Sequence, residues 1–241
     1  MGKFRNRIMF VITFVDYDGM DSEKRRVDRT PRMSTKWMYE REDVFIDVHE
    51  ELLPFSKVIE LFGVIENEFS VKEYCNGSNA GGRWIFQIYS QEFIHELVDI
   101  VRESITPQKQ NIIIAEVMSG DGRLSEFLKR EIDQKIIATD AKTGRYNIGY
   151  PKWVQKMTAI ETIQTFEPSL TIVSWEPYLS MASANLVESG IPLIWIGNPE
   201  RCGHTDLFEF EHKSVGSPYA ISRHDTFSSD ERCTDVFLFN F

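Results

Sequence analysis

The sequence has few cysteines. Its 241 residues include only Cys75, Cys202 and Cys233, an odd number with wide spacing and no Cys-x-x-Cys pair. A disulfide framework or a zinc site requires more cysteines, or cysteines at closer spacing, so neither is indicated and we expect no bound metal. A reducing, cytoplasmic compartment fits this pattern best.

Long apolar runs and an excess of positive charge are also missing. No run approaches the roughly 18 apolar residues that a membrane-spanning helix needs. The formal net charge of -10 argues against sequence-independent binding of nucleic acid, because that binding depends on Lys and Arg neutralising phosphates. What is present is an apolar share of 42% with 17 Phe and 5 Trp, the composition of a folded globular protein.

The first third of the chain differs from the rest in its pattern of residue types. It has β-branched and aromatic clusters separated by charged stretches, and a Gly- and Asn-rich break at Asn76–Arg83 ends it. Its patterns predict strands at Ile8–Val15 and Val44–Val48 and a short helix at Pro54–Phe62. We therefore predict a β-rich N-terminal extension at residues 1–85, which packs on the following domain or covers its substrate mouth. Any protein partner is expected on this extension.

Residues 86–241 alternate helices with apolar strands. Ser90 is placed to cap a helix whose apolar residues recur at helical spacing and which ends before Pro107. The other predicted elements, in chain order, are strand Ile112–Val117, helix Arg123–Ile132, strand Lys135–Asp140, helix Thr158–Phe166, strand Leu170–Ser174, helix Met181–Glu188, strand Ile191–Gly197 and strand Thr234–Phe241. This alternation predicts an α/β fold with a doubly wound, mostly parallel sheet, which binds ligands at the carboxyl ends of its strands.

A glycine loop follows the first of these strands. Its sequence, Glu116-Val-Met-Ser-Gly-Asp-Gly122, stands directly before a helix, and its glycines allow a tight turn and close approach to a ligand. Asp140 ends the next strand, 18 residues after Gly122, near the interval of about 20 at which an acid meets a ribose diol. The pattern indicates a nucleotide-like ligand, with a tight turn and a polar cap as the structural alternatives.

The loop resembles the first motif of the class I S-adenosylmethionine-dependent methyltransferases. Glu116, Gly120 and Gly122 match its acid and alternating glycines, Asp140 matches the acid of the second strand, and Met118 replaces the first glycine of the family pattern. The resemblance covers roughly the last 150 residues of the chain.

The resemblance implies S-adenosylmethionine as cofactor and a seven-stranded sheet closed by a C-terminal antiparallel hairpin, here Tyr219–Arg223 with Val236–Phe241. It also implies that the backbone from Ser119 through Asp121 to Gly122 lies beside the methionine portion of the cofactor. Asp140 is implied to hold the ribose.

The fourth strand ends in Ser174-Trp175-Glu176-Pro177-Tyr178, where the family faces the transferred methyl group. Family members that methylate amino groups have the motif Asp/Asn/Ser-Pro-Pro-Tyr/Phe at this position. Only Pro177 and Tyr178 of this chain match that motif cleanly, so we do not predict nitrogen methylation. Ser174 and Trp175 are candidate cofactor contacts. Glu176 and Tyr178 are candidate catalytic residues, against the alternative of packing and solvation.

The fifth strand runs into a loop rich in polar residues, Gly197–His204. His204 is the candidate for acid–base chemistry in this loop because histidine titrates near neutral pH. An ordinary surface loop is the alternative.

Three functions follow from these patterns. The first is methyl transfer to a small molecule or a protein side chain. The second is an inactive module that keeps the fold for binding or assembly, favoured by Met118. The third is a NAD-binding oxidoreductase, because Gly120-x-Gly122-x-x-Ser125 nearly satisfies the dinucleotide pattern. The acid at Glu116 and the missing third glycine favour the methyltransferase over the oxidoreductase.

Overall fold

The structure, a computed structural model, describes residues 47–79, 81–105, 111–144 and 148–241. The predicted strand at Ile8–Val15 and most of the one at Val44–Val48 lie outside these residues. Within the described ranges, no helix combines the length and apolar composition required to cross a bilayer.

Six α-helices and one 3-10 helix are found in the described residues. They are α1 (Phe55–Glu68), α2 (Val71–Cys75), α3 (Gln91–Ser104), α4 (Arg123–Leu128), α5 (Ala159–Phe166), α6 (Ala182–Glu188) and the 3-10 helix Thr205–Glu209. The strands are β1 (Gln87–Ile88), β2 (Ile113–Val117), β3 (Lys135–Asp140), β4 (Gln155–Lys156), β5 (Leu170–Ser174), β6 (Leu193–Gly197), β7 (His212–Ser214), β8 (Ile221–Ser222) and β9 (Asp235–Phe239).

Seven of the strands form one sheet in the order β4-β3-β2-β5-β6-β9-β7. The first five are parallel, and β9 runs antiparallel to both β6 and β7. The predicted α/β fold, with a mostly parallel seven-stranded sheet and a C-terminal antiparallel hairpin, is confirmed. One strand of the hairpin was predicted wrongly: β9 pairs with His212–Ser214, whose polar, exposed residues carry no apolar pattern, while β8 pairs with β1 in a separate two-stranded sheet.

Helices cover both faces of the sheet, as the alternation of buried side chains along the strands requires. On one face, Ile114 and Ile172 pack with residues of α3 and α4. On the other, Ala115 and Val173 pack with residues of α5 and α6. Burying each such aliphatic side chain contributes about 1.5–3 kcal/mol, so the two layers account for much of the stability of the sheet.

Polar side chains cap the starts of α3 and α5. The Ser90 hydroxyl accepts a hydrogen bond from the Phe93 N–H at 3.2 Å, which confirms its predicted role as N-cap of α3. At α5, Thr158 and Glu161 form a reciprocal capping box. These caps satisfy backbone N–H groups that the first turn of a helix leaves without partners.

In the described part of the extension, residues 47–79 and 81–85, the helices and strands found are the two helices α1 and α2, so the predicted β-rich character does not hold there; for residues 1–46 it stays a prediction. Val58, Leu61, Phe62 and Ile65 recur at helical spacing and form the buried face of α1. They join a second core cluster that also contains Ile88 of β1 and Ile221 of β8. This cluster draws on residues from both sides of the predicted boundary at residue 85, so the two parts share a core.

Candidate functional site

The carboxyl ends of four parallel strands meet at one edge of the sheet. Asp140 ends β3, the glycine loop follows β2, Ser174 ends β5 and Asn198 follows β6. Because these strands are neighbours in the order β3-β2-β5-β6, the predicted cofactor residues converge at this edge. We call residues 118–122, which follow β2, the edge loop.

The edge loop has three residues in the left-handed region: Met118 (φ 54°), Gly120 (φ 56°) and Gly122 (φ 74°). A left-handed conformation at a residue with a side chain, such as Met118, costs about 1–2 kcal/mol. Two backbone hydrogen bonds hold the turn: the Ser119 N–H donates to the Thr139 carbonyl at 3.0 Å, and the Gly122 N–H donates to the Ser119 carbonyl at 2.8 Å. The loop is therefore anchored on β3 despite the methionine.

Asp140 and Gly120 are directly joined. The Gly120 N–H donates to Asp140 Oδ2 at 3.0 Å, and the Lys142 N–H donates to Asp140 Oδ1 at 2.6 Å. The Tyr150 hydroxyl also bonds this carboxylate; burial, the charge of Asp140 and that hydrogen bond raise the pKa of Tyr150 to about 12. The acid thus links the edge loop to the segment that follows β3.

Gly120 is loosely surrounded by the described residues. Among them, a Cβ on Gly120 would meet only Ile148 Cδ1, at the ordinary van der Waals distance of 3.9 Å. The neighbouring Ser119 hydroxyl oxygen is buried and has no hydrogen-bond partner among the described residues. A free space beside a glycine and an unpaired buried hydroxyl are both features that a polar ligand would use.

Gly122 faces protein and not open space. A Cβ there would overlap the Trp153 ring and lie 3.0 Å from Val154 Cγ2. The residue therefore permits close packing of the segment before β4, which is the structural alternative to a ligand contact.

Glu116 lies beneath the edge loop. Its side chain is buried, and Oε2 accepts from the Ser125 N–H at 2.9 Å and from the Ser125 hydroxyl. Burial raises the pKa of Glu116 to about 7, against the opposing effect of the Ser125 hydrogen bonds. The acid fixes the start of α4 against β2, and its predicted contact with a cofactor is untested.

Asp121 joins the edge loop to the extension. Its Oδ2 lies 2.9 Å from His49 Nε2 and 3.7 Å from Arg83, and its Oδ1 accepts from the Arg123 N–H at 3.2 Å. Burial alone would raise the pKa of Asp121, but the contacts with His49 and Arg123 outweigh burial and lower this pKa overall. Glu50 completes this network by pairing with both Arg83 and Arg123. Ion pairs and hydrogen bonds therefore join the described part of the extension to the edge loop.

The end of β5 is lined by residues that precede α3. The Tyr89 hydroxyl bonds the Ser174 side chain, and burial raises the pKa of Tyr89 well above its usual range. Trp175, in a left-handed conformation (φ 56°), donates from Nε1 to Gln87 Oε1 at 2.9 Å. Sequence reasoning missed Gln87 and Tyr89 as site residues; their only signal was the strand-like pattern of Trp84–Tyr89.

Glu176 points into the protein, away from solvent. Its side chain is 1% exposed; Oε1 accepts from the Ser183 N–H at 3.0 Å and Oε2 accepts from Trp195 Nε1 at 3.3 Å. Both partners belong to the core on the α6 face of the sheet. The carboxylate thus ties the start of α6 to β6, and its predicted catalytic role has no support from these contacts.

Tyr178 and His204 differ from Glu176 in exposure. Tyr178 is 52% exposed in the loop after β5. His204 caps the 3-10 helix, with Nδ1 accepting from the Asp206 N–H at 3.2 Å and lying 3.0 Å from its carboxylate. That capping contact accounts for His204 structurally, and the catalytic roles of both residues remain predictions.

No protein-family model matches the sequence, and no curated protein matches it. Solved structures that are similar to this chain include the CurJ carbon methyltransferase, with 10% identity and a TM-score of 0.42 over 86% of this chain and 69% of that one. Human N-acetylserotonin methyltransferase in complex with SAM has 12% identity and a TM-score of 0.32, with 86% and 67% covered. The plantazolicin methyltransferase BpumL in complex with SAH has 9% identity and a TM-score of 0.36, with 85% and 98% covered.

The sheet order, the parallel strands and the antiparallel β9 establish the fold from the chain itself. The chain has the doubly wound α/β fold that its sequence resemblance to class I methyltransferases implies.

Proposed function

We propose that this chain binds S-adenosylmethionine at the carboxyl edge of its sheet and transfers the methyl group to a small molecule or a protein side chain. The observation that carries the proposal is the hydrogen bond between Gly120 and Asp140. It joins a glycine loop and an acid from neighbouring parallel strands into one unit, at the edge where open α/β sheets bind nucleotides.

The residues present fit this cofactor. Gly120 leaves room for close approach, the Ser119 hydroxyl has no hydrogen-bond partner among the described residues, and Asp140 offers a carboxylate that can accept from a ribose diol. The Tyr150 hydroxyl and the diol would compete for that carboxylate, so cofactor binding is expected to release Tyr150. Gly122 and Glu116 support the loop from below and are not included among the contacts.

When bound, the cofactor supplies a sulfonium methyl carbon that is open to in-line attack. The protein contributes mainly positioning, which is a large catalytic effect when two reactants are held in line. Ser174 and Trp175 lie at the edge beside the loop and are proposed to border the methyl group. Glu176 is left out of the site because its two oxygens are held beneath the edge.

Isothermal titration with S-adenosylmethionine and S-adenosylhomocysteine tests the binding step. Asp140→Asn keeps the size of the side chain but loses one acceptor oxygen and the negative charge. Because hydrogen bonds to charged groups contribute about 1.5–3 kcal/mol, the affinity for the cofactor should fall roughly 10- to 100-fold. Asp133→Asn, an exposed acid before the same strand, is the matched control and should bind like the parent protein.

Gly120→Ala tests the open space with its own control. The variant has backbone strain at φ 56°, and Gly190→Ala has comparable strain at φ 78° with open space around it, in the turn after α6. We expect Gly120→Ala and Gly190→Ala to lose equal stability, and we expect only Gly120→Ala to lose affinity for the cofactor. Absence of binding by the parent protein at millimolar cofactor would refute the proposal, and binding of NAD(H) instead would favour the oxidoreductase.

A second function, an inactive binding or assembly module, is favoured by the contacts at the end of β5. Ser174 is bonded to Tyr89, Trp175 to Gln87, and Glu176 is buried. This alternative predicts that neither S-adenosylmethionine nor S-adenosylhomocysteine binds, although the protein is folded by circular dichroism. The titration above therefore separates the two.

A further inference from the structure

The edge loop has a shape that is costly to order. Met118, Gly120 and Gly122 all have positive φ angles, and the two glycines flank Asp121. Glycine loses more conformational freedom on folding than any other residue, so fixing this loop has a high entropic cost. Contacts that hold the loop before a ligand arrives remove part of that cost from the binding step. Because Asp121 stands between the two glycines, a contact to its side chain restrains both of them.

His49 makes such a contact from the extension. Its Nε2 lies 2.9 Å from Asp121 Oδ2, and the two side chains are only 8% and 16% exposed. The backbone of His49 is held as well, because its N–H donates to Asp47 Oδ1 at 3.1 Å. A hydrogen bond to a carboxylate is stronger than one between neutral groups, and more so away from water. The edge loop is thus restrained by a residue outside the α/β domain.

The Gly- and Asn-rich break in the sequence supports the same contact. The buried Asn79 amide donates to the Tyr74 and Arg83 carbonyls at 2.8 and 2.7 Å, and its oxygen accepts from the Arg83 N–H at 2.9 Å. Arg83, held in this way, lies 3.5 Å from Asp47 and 3.7 Å from Asp121. The break is therefore a turn that brings a cation to the two acids bonded to His49.

His49 also contacts the other side of the site. Its ring centroid lies 6.0 Å from that of Tyr89, with an angle of 38° between the rings. Tyr89 is buried, and its hydroxyl bonds the Ser174 side chain at the end of β5. One histidine therefore contacts the edge loop directly and the end of β5 through Tyr89.

We propose that His49 is a positioning residue of the cofactor site, which holds the edge loop in its ligand-binding shape through Asp121. The extension then takes part in cofactor binding, beyond the cover over a substrate mouth that its sequence predicts. The identity of the ligand, S-adenosylmethionine, rests on the proposed function, whereas the restraint on the loop does not.

Titration calorimetry with S-adenosylmethionine and S-adenosylhomocysteine tests the proposal. His49→Leu removes the hydrogen bond and should weaken binding about 5- to 20-fold, because part of the loss of a bond to a charged group appears in the binding step. His49→Gln can place an amide N–H near the position of Nε2 and should restore affinity to within about threefold of the parent protein. His95→Leu, a change of an exposed histidine on α3, is the matched control and should bind like the parent. Equal affinity of His49→Leu and the parent protein would overturn the proposal.

A double-mutant cycle shows whether His49 acts through Asp121. In an Asp121→Ala background the acceptor of the His49 bond is gone, so His49→Leu should change cofactor affinity by less than about twofold. The same loss of affinity in both backgrounds would mean that His49 acts by another route and would overturn the assignment.

Hydrogen exchange without ligand separates a held loop from a general loss of stability. The Gly120 N–H is bonded to Asp140 and the Gly122 N–H to the Ser119 carbonyl, so both amides report opening of the edge loop. In His49→Leu, followed by NMR, these two amides should exchange about tenfold faster, while the amides of the central strands β2 and β5 should change by less than about threefold. Equal acceleration in the loop and in the strands would show a structural role alone and overturn the proposal.

Failure of this inference and failure of the proposed function give different results. If the parent protein does not bind S-adenosylmethionine at millimolar concentration, the proposed function fails, and the exchange experiment still decides whether His49 holds the loop. If the parent protein and His49→Leu bind the cofactor equally well, the cofactor site stands and this inference fails.

Discussion

The burial of Glu116 predicts an unusual pH dependence of stability. Its pKa is raised from 4.5 to about 7 in the folded protein because the carboxylate is removed from water. Between these two values the unfolded chain has lost a proton that the folded chain still binds. The contribution of Glu116 to stability is therefore full at low pH and is lost as the pH rises through about 7.

The size of this effect follows from the shift in pKa. A rise in the pKa from 4.5 to about 7 corresponds to about 3 kcal/mol. Glu116→Gln keeps the shape of the side chain and an oxygen that accepts from Ser125, but it has no titrating group. The free energy of unfolding of the parent protein minus that of the variant should therefore fall by about 3 kcal/mol between pH 4 and pH 8.5.

Urea denaturation at several pH values measures this difference directly. Glu161→Gln is an internal control of opposite sign, since hydrogen bonds from Thr158 lower the pKa of Glu161 and its contribution is lost as the pH falls. A parent-minus-Glu116→Gln difference that stays constant with pH would refute the argument that this carboxylate is desolvated beneath the loop.

Three further predictions concern packing and charge. Gly122→Ala should lower the free energy of unfolding by about 1–3 kcal/mol, chiefly through overlap with Trp153. In a Trp153→Ala background only the backbone strain and the close contact with Val154 should remain, as a double-mutant cycle by urea denaturation will measure. Asp225→Ala should destabilise the protein by at least 3 kcal/mol, because it leaves several buried donors unpaired; a change in thermal midpoint under 2 °C would contradict this. His49→Ala should raise the pKa of Asp121 in a carbon-detected NMR titration, so stability should be lost at a higher pH on acidification.

Most of the sheet could be predicted from the sequence because its strands are short apolar runs between helices with clear caps. The bounds of Lys135–Asp140 and Leu170–Ser174 agree with the structure, and Ser90 caps α3 as its position indicated. The second hairpin strand was missed, since His212–Ser214 is polar and exposed on both sides. Its pairing depends on β9, a contact between residues distant in the chain.

The candidate site was predictable only in part, for a similar reason. The convergence of Asp140 and Gly120 follows from the parallel order of β3 and β2. The roles of Glu116 and Gly122 beneath the loop depend on contacts with Ser125 and Trp153 that no spacing rule encodes. Local pattern therefore locates an edge of the sheet, while tertiary packing decides which side chains face a ligand.

The position of β9 has a consequence for how this chain reaches its native state. β9 lies between β6 and β7, so the apolar edge of β6, with Trp195 and Ile196, has no partner on that side until residues 235–239 arrive. During synthesis those residues leave the ribosome last among the strands described, and the sheet is exposed to edge-to-edge association until then. Removal of Asp235–Phe239 should therefore give a chain that aggregates during expression, with its parallel half formed and its seventh strand, β7, unattached.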